Sequence, residues 1–146
     1  MSQLLLQLII AGAGTVAFAL LYSVPGRFLL PCGLAGGLGW LVYILLDETT
    51  WCGKTAAVFL ASLVVVFLSR EMSVRLKCPA TVFITTGIFP LVPGVGIYWT
   101  AYYIVTDQMD MAAESGVAAL KTAMAIVLGI TVMSEVPNRF FHRESL

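Results

Sequence analysis

The sequence predicts an all-α membrane protein with about five transmembrane helices, the fourth of them broken near Pro90–Gly96. Two features of the composition indicate the membrane class: 60% of the 146 residues are hydrophobic and only 11% are charged. The mean hydropathy is accordingly high, at +0.96. A soluble domain has roughly 45–50% apolar and about 25% charged residues. This chain lacks the polar side chains to cover its exterior, so its solvent is a lipid bilayer.

Five apolar segments, separated by charged or proline-containing turns, set the predicted number of spans. A spanning helix needs about 20 predominantly apolar residues, and each segment has about that length or more. We treat residues 1–146 as one transmembrane domain. The predicted spans cover residues 3–24, 28–46, 51–69, 79–106 and 115–136.

The fourth segment contains the stretch GIFPLVPGVGIYW, from Gly87 to Trp99. Proline lacks a backbone donor and clashes with the preceding helical turn, and glycine permits close backbone approach. Four residues should therefore split this span into two half-helices near the bilayer centre: Pro90, Pro93, Gly94 and Gly96. Backbone groups freed in hydrocarbon cost several kcal/mol each. The break should therefore face protein or a wet cavity.

Discontinuous helices at mid-membrane recur in secondary transporters, where a half-helix N-terminus offers N–H groups to an anionic substrate. The second half-helix is predicted to begin around residues 94–97, with Tyr98 in its first turn. Thr85 and Thr86 precede the break by about one turn and would add hydroxyl ligands. The alternative interpretation is a proline kink that only shapes helix packing.

Lys121 is the other candidate site residue, because it lies within the last predicted span. It follows Glu114 by seven positions, about 10 Å of helical rise. An ionisable side chain at that depth is a functional candidate by default. The alternative is that the lysine extends its ammonium group to the membrane interface.

The charged residues predict the orientation of the chain. With five spans, six of the eight basic residues share one side of the membrane: Arg27, Arg70, Arg75, Lys77, Arg139 and Arg143. The opposite side carries Lys54 and the acidic residues Asp47, Glu48, Asp107, Asp110 and Glu114. Basic residues favour the cytoplasmic side, so the N-terminus should be outside and the C-terminus cytoplasmic. A hairpin in place of the broken span would destroy this alternation, which favours a single crossing.

Other function classes lack support in the sequence. The net charge is zero and no basic patch is present, which argues against nucleic acid. Three widely separated cysteines, Cys32, Cys52 and Cys78, predict no metal site, cofactor or disulfide framework. No catalytic motif indicates an enzyme. The glycine run at Gly33, Gly36, Gly37 and Gly39 is typical of close helix packing, and is a candidate surface for self-association or for a partner.

Two stretches resemble a known family. PGRFLLPCGLAGGLGW and CPATVFITTGIFPLVPGVGIY are similar to the small subunit of the threonine/serine exporter family, and the resemblance covers nearly the whole chain. It implies a membrane subunit that exports small hydrophilic metabolites, either threonine and serine or dicarboxylates such as succinate. It also implies a larger membrane partner and an inner (plasma) membrane location. The alternative is a noncatalytic scaffold that stabilises or positions a partner protein.

Overall fold

The computed structural model describes residues 2–48 and 53–137, and within them the chain folds into six α-helices and one 3-10 turn. Cys52, the start of the third predicted span, and the tail with Arg139 and Arg143 lie outside the described residues. No strand occurs in the described part, which confirms the all-α prediction. The helices are α1 (Ser2–Leu21), α2 (Gly26–Glu48), α3 (Lys54–Leu76), α4 (Ala80–Gly87), α5 (Gly94–Val105) and α6 (Met109–Ser134), with the 3-10 turn at Phe89–Leu91.

Four of these helices, α1, α2, α3 and α6, are long and apolar enough to cross a membrane. A fifth candidate span is the pair formed by Ala80–Leu91 and Gly94–Val105, which bends by 55° at a short break. The predicted interruption of the fourth span is therefore present, and it lies at the two prolines.

Several helices extend beyond the predicted spans. Helix α3 continues from the predicted end at Ser69 to Leu76, and α6 begins at Met109 instead of residue 115. Charged residues are compatible with helical backbone, and Glu71 and Arg75 form an ion pair of 2.6 Å one turn apart in α3. Helix α3 ends where Lys77 adopts a left-handed conformation. Helix α1 ends at Leu21, before the predicted residue 24.

Helix α2 is the centre of the bundle, and its glycine run lies against neighbouring helices. A Cβ atom at Gly36 would collide with Thr15 of α1, and one at Gly39 would collide with Val65 of α3. At Gly33 the added atom would lie 2.7 Å from the Val16 side chain. The prediction that these glycines serve packing is confirmed. The expectation that this face is a surface for another chain stays a prediction.

Helices α3 and α6 run in the same direction. At their C-terminal ends the Arg70 guanidinium donates a hydrogen bond of 2.5 Å to the Met133 carbonyl. Near their N-terminal ends, Lys54 and Glu114 line one groove. The segment that connects these helices must therefore return from one end of the bundle to the other, and a 55° bend is compatible with such a crossing. This geometry favours a single broken crossing over a hairpin.

Candidate functional site

The break satisfies most of its own backbone amides. Leu91 donates to the Ile88 carbonyl at 2.9 Å, and Val92 donates to the Phe89 carbonyl at 3.2 Å. Pro90 and Pro93 have no amide hydrogen to place. Pro93 then caps α5, which begins at Gly94. Because the prolines have no amide hydrogen, they end one helix and start the next without adding an unpaired backbone donor in an apolar environment.

The break lines an open cavity of about 280 Å³, which we call the break cavity. Its wall includes residues 90–95 of the break and, from other helices, Trp40, Tyr43, Val58 and Thr122. Val95 lies in the first turn of α5, where an α-helix has no intrahelical acceptor for its amides. The positive end of the α5 dipole is therefore next to this cavity.

A second open cavity, of about 390 Å³, lies on the α1 side of the break. It is lined by Gln7, Ile10 and Ala11 from α1 and again by Trp40 and Pro90. Trp40 and Pro90 border both cavities. Trp40 could not be predicted from the sequence, since a lone tryptophan in an apolar helix carries no signal of its position relative to a distant proline.

A third opening lies between the N-terminal part of α3 and α6, with a volume of about 590 Å³. We call it the charged groove; its polar lining residues are Lys54, Thr55, Glu114, Lys121 and Thr122. Thr122 also lines the break cavity, so the two spaces adjoin at this residue. The structure therefore brings Lys121 next to the broken span, a relationship that the sequence does not reveal.

The structure separates the predicted site residues into two groups. Pro90, Pro93 and Gly94 line the break cavity, and Lys121 lines the adjoining charged groove. Four other predicted residues lie elsewhere: Thr85, Thr86, Gly96 and Tyr98.

The two threonines of α4 do not line the break cavity. Thr86 is 1% exposed, and its hydroxyl donates a 2.9 Å hydrogen bond to the Val82 carbonyl one turn earlier. Thr85 is exposed on another side of the same helix. Since adjacent helical residues point about 100° apart, the two hydroxyls face different surroundings and form no joint ligand set.

Gly96 and Tyr98 belong to the packing and the outer surface of α5. A Cβ atom on Gly96 would lie 3.1 Å from the Ala119 Cβ, so this glycine allows α5 to approach α6. Tyr98 is 62% exposed and its ring contacts that of Trp99 at a centroid distance of 5.4 Å. Because α5 begins at Gly94, Tyr98 starts the second turn of the helix, one position beyond the predicted first turn.

An α-helical bundle with up to five apolar spans defines a multi-pass membrane protein, and a span broken beside open cavities is a feature that recurs in secondary transporters. Residues 7–136 match the family described as Threonine/Serine exporter, ThrE. The chain therefore belongs to the threonine/serine exporter family, which confirms the resemblance seen in the sequence.

Two named relatives agree with this assignment, and a third similar protein is uncharacterized. A probable threonine/serine exporter of Mycobacterium tuberculosis is 30% identical over 123 residues, which are 84% of this chain and 23% of the relative. A threonine/serine exporter of Corynebacterium glutamicum is 26% identical over 91% of this chain and 27% of the relative. A Haemophilus influenzae protein described as uncharacterized is 32% identical over 99% of this chain.

The chain spans about a quarter of the two named exporters and half of the Haemophilus protein. No solved structure matches the chain.

Proposed function

We propose that the chain is a membrane subunit of a secondary exporter for small hydrophilic metabolites, either threonine and serine or dicarboxylates such as succinate. The observation that carries this proposal is the N-terminus of α5, which opens onto the break cavity at Pro93–Val95. The Val95 amide and a partial positive charge of about half an elementary unit suit a carboxylate. The Gly94 amide already donates to the Val92 carbonyl at 2.7 Å. The family assignment supports export as the activity.

A larger membrane partner is part of this proposal. All three spaces beside the break are open at the surface of the chain. A polar path through a membrane has to be shielded from lipid along its length, and the described helices leave these spaces unshielded. A second membrane protein of the same family would close them. Self-association is the other assembly that would do so.

The proposed location is the inner (plasma) membrane, with the N-terminus outside and the C-terminus cytoplasmic. The shared direction of α3 and α6 supports the charge distribution behind this orientation. Arg70, Arg75 and Lys77 lie at the C-terminal end of α3, whereas Asp110 and Glu114 lie at the N-terminal end of α6. The basic end would face the cytoplasm.

The first test is export from cells that lack this gene, complemented with the chain alone or with its proposed partner. Intracellular threonine, serine and succinate would be followed after loading cells with peptide or with a carbon source. We expect the pair to restore export of one of these metabolites. Restoration by the chain alone would indicate that the exporter is a homo-oligomer of this chain and not a hetero-oligomer. No change in any metabolite would favour the scaffold alternative.

A glycine pair tests whether the break itself takes part in export. Neither Gly94 at the break nor Gly14 on α1 has an atom within 4 Å of an added Cβ, so the first atom of a new side chain is accommodated at both positions. We expect Gly94→Leu to reduce export about tenfold, because it fills space beside the α5 N-terminus; tenfold corresponds to about 1.4 kcal/mol. Gly14→Leu is the matched control.

Both variants should reach the membrane at wild-type levels. Equal export by the Gly94→Leu and Gly14→Leu variants would contradict a role for the break in export and would favour the scaffold alternative. Variants in the glycine run at residues 33–39 cannot make this distinction, because both interpretations predict that they damage the bundle.

A further inference from the structure

The charged groove carries an inference about the route to the break. We propose that the groove is a water-filled binding site for a small carboxylate, with the ammonium groups of Lys121 and Lys54 as its receptors. This assignment rests on the proposed export function and deepens it. It gives roles to Lys54, Thr55 and Thr122, and it places Lys121 in water and not against lipid.

The depth of Lys121 is the first observation. Glu114 and Glu135 are 21 residues apart, about 31 Å of helical rise, which matches the hydrocarbon core of about 30 Å. If these carboxylates mark the two boundaries, Lys121 lies about 10 Å inside the nearer one. Among the described residues it forms no ion pair and no hydrogen bond. An exposed ammonium at this depth is unfavourable in lipid, so the groove must provide water or an anion.

The composition of the groove is the second observation. Lys54 projects from the first residue of α3 and Lys121 from α6, so ammonium groups come from both walls. Glu114 is the one carboxylate among the lining residues, which leaves the groove with a net positive charge. Thr55 and Thr122 add hydroxyl groups that can donate to a carboxylate or accept from an amine. This set suits a small metabolite with a carboxylate group.

The connection to the break is the third observation. Thr122 lines both the charged groove and the break cavity. A carboxylate bound in the charged groove at Lys121 would therefore lie beside the break cavity, onto which the α5 N-terminus opens. The lysines would attract the anion from solution, and the positive N-terminal end of α5 at Val95 would receive it next.

The described residues of a second copy of this chain cannot supply the missing counter-charge. In an assembly whose copies insert in the same direction, Lys121 meets residues at its own depth. The acidic residues of the described part all lie in loops or within two turns of a helix end: Asp47, Glu48, Glu71, Asp107, Asp110, Glu114 and Glu135. None of them lies at the depth of Lys121, so a mobile anion fits the groove better than a symmetric partner.

Thiol labelling in membranes tests the assignment. The background variant carries Cys32→Ala, Cys52→Ser and Cys78→Ser, and Thr122→Cys provides the probe. An anionic and a cationic methanethiosulfonate of similar size are compared, each relative to its rate with a free thiol. We expect the anionic reagent to react faster, and Lys121→Gln to lower the anionic-to-cationic ratio about tenfold, because one nearby positive charge is lost. Lys54→Gln should lower it less.

Two controls keep the result specific. Lys77→Gln removes a positive charge at the other end of α3 and should leave the ratio unchanged. Leu128→Cys lies on the exposed surface of α6, two turns beyond Lys121, and should not react from water if that surface faces lipid. Millimolar succinate or threonine should slow labelling of the Thr122→Cys variant at least twofold, whereas glycerol should not.

Three results would overturn the proposal. The first is no reaction of the Thr122→Cys variant with either reagent, which would mean that lipid or a partner protein fills the groove. The second is a ratio that does not change in Lys121→Gln. The third is labelling that neither carboxylate slows. Labelling requires no transport, so these outcomes are independent of whether the Gly94→Leu export assay succeeds.

Discussion

The two halves of the broken span differ in how the rest of the bundle holds them. Helix α4 packs against α1, α2 and α3 and buries Phe83, Thr86 and Gly87. Helix α5 packs chiefly against α6 and has no buried residue. The comparison indicates a division of roles, in which α4 anchors the span and α5 presents its N-terminus to the cavity. Substitutions of the buried residues of α4 should therefore affect stability. In α5 only substitutions at its contact with α6 should do so, and substitutions at its N-terminus should affect activity.

The largest expected effect comes from truncating the anchor. Phe83 is fully buried and packs edge-on against Phe28, with ring centroids 5.9 Å apart. We expect Phe83→Ala to lower the free energy of unfolding by about 3 kcal/mol, because it leaves a cavity that the bundle cannot fill. The measurement is reversible unfolding in mixed detergent micelles.

Tyr98→Ala in α5 is the matched aromatic truncation, since Tyr98 is largely exposed. Its expected effect on unfolding is within about 0.5 kcal/mol. Similar losses for the two variants would refute the division into an anchored and a presented half-helix.

An intermediate effect is expected where α5 meets α6. Gly96→Leu would press against Ala119 and push the two helices apart, at a cost of about 1–3 kcal/mol. Gly116 of α6 lies against Thr100 of α5, with an added Cβ 3.3 Å from the Thr100 methyl carbon. A disulfide between Thr100→Cys and Gly116→Cys therefore reports the helix separation.

We expect oxidative cross-linking of this cysteine pair to decrease in the Gly96→Leu background and to persist with Gly94→Leu, whose added Cβ meets no neighbour. Unchanged cross-linking with Gly96→Leu would show that α5 is held by contacts other than the Gly96–Ala119 approach.

The smallest effect is expected from Pro93→Ala. The alanine restores backbone freedom just before α5, worth about 0.4–1 kcal/mol, and lets the first turn of the helix shift. About 0.7 kcal/mol, the middle of this range, corresponds to roughly threefold, because 1.4 kcal/mol corresponds to tenfold. We therefore expect export to fall roughly threefold while membrane insertion stays normal. Export equal to wild type in a well-expressed Pro93→Ala variant would remove Pro93 from the site. Pro25→Ala, before α2 and far from the break in sequence, is the comparison variant.

Several features of the fold could be predicted from the sequence because they depend on local chemistry. Apolar runs of about 20 residues specify spanning helices, and the two prolines specify where a helix cannot continue. The break between α4 and α5 lies at these prolines. Helix ends were less predictable. The third span was predicted to end at residue 69, just before Arg70 and Glu71, yet arginine and glutamate are good helix formers and α3 continues past them.

The membership of the site could be predicted only in part. Pro90, Pro93 and Gly94 line the break cavity because the chain interruption itself forms the wall. Thr85 and Thr86 are near the break in sequence, but the direction of α4 turns them away from it. Sequence proximity gives the distance along a helix and not the face that packs against a neighbour.

What the sequence by itself determined is the solvent of this protein, its helical class and the position at which one span breaks, because each follows from local composition and backbone sterics. Only the tertiary structure decided that α2 buries its own glycines, that Trp40 and Pro90 border two cavities, and that Lys121 adjoins the break through Thr122. These relationships join residues far apart in the chain. They depend on which helix faces meet, and the apolar pattern of a membrane helix is nearly the same on all its faces.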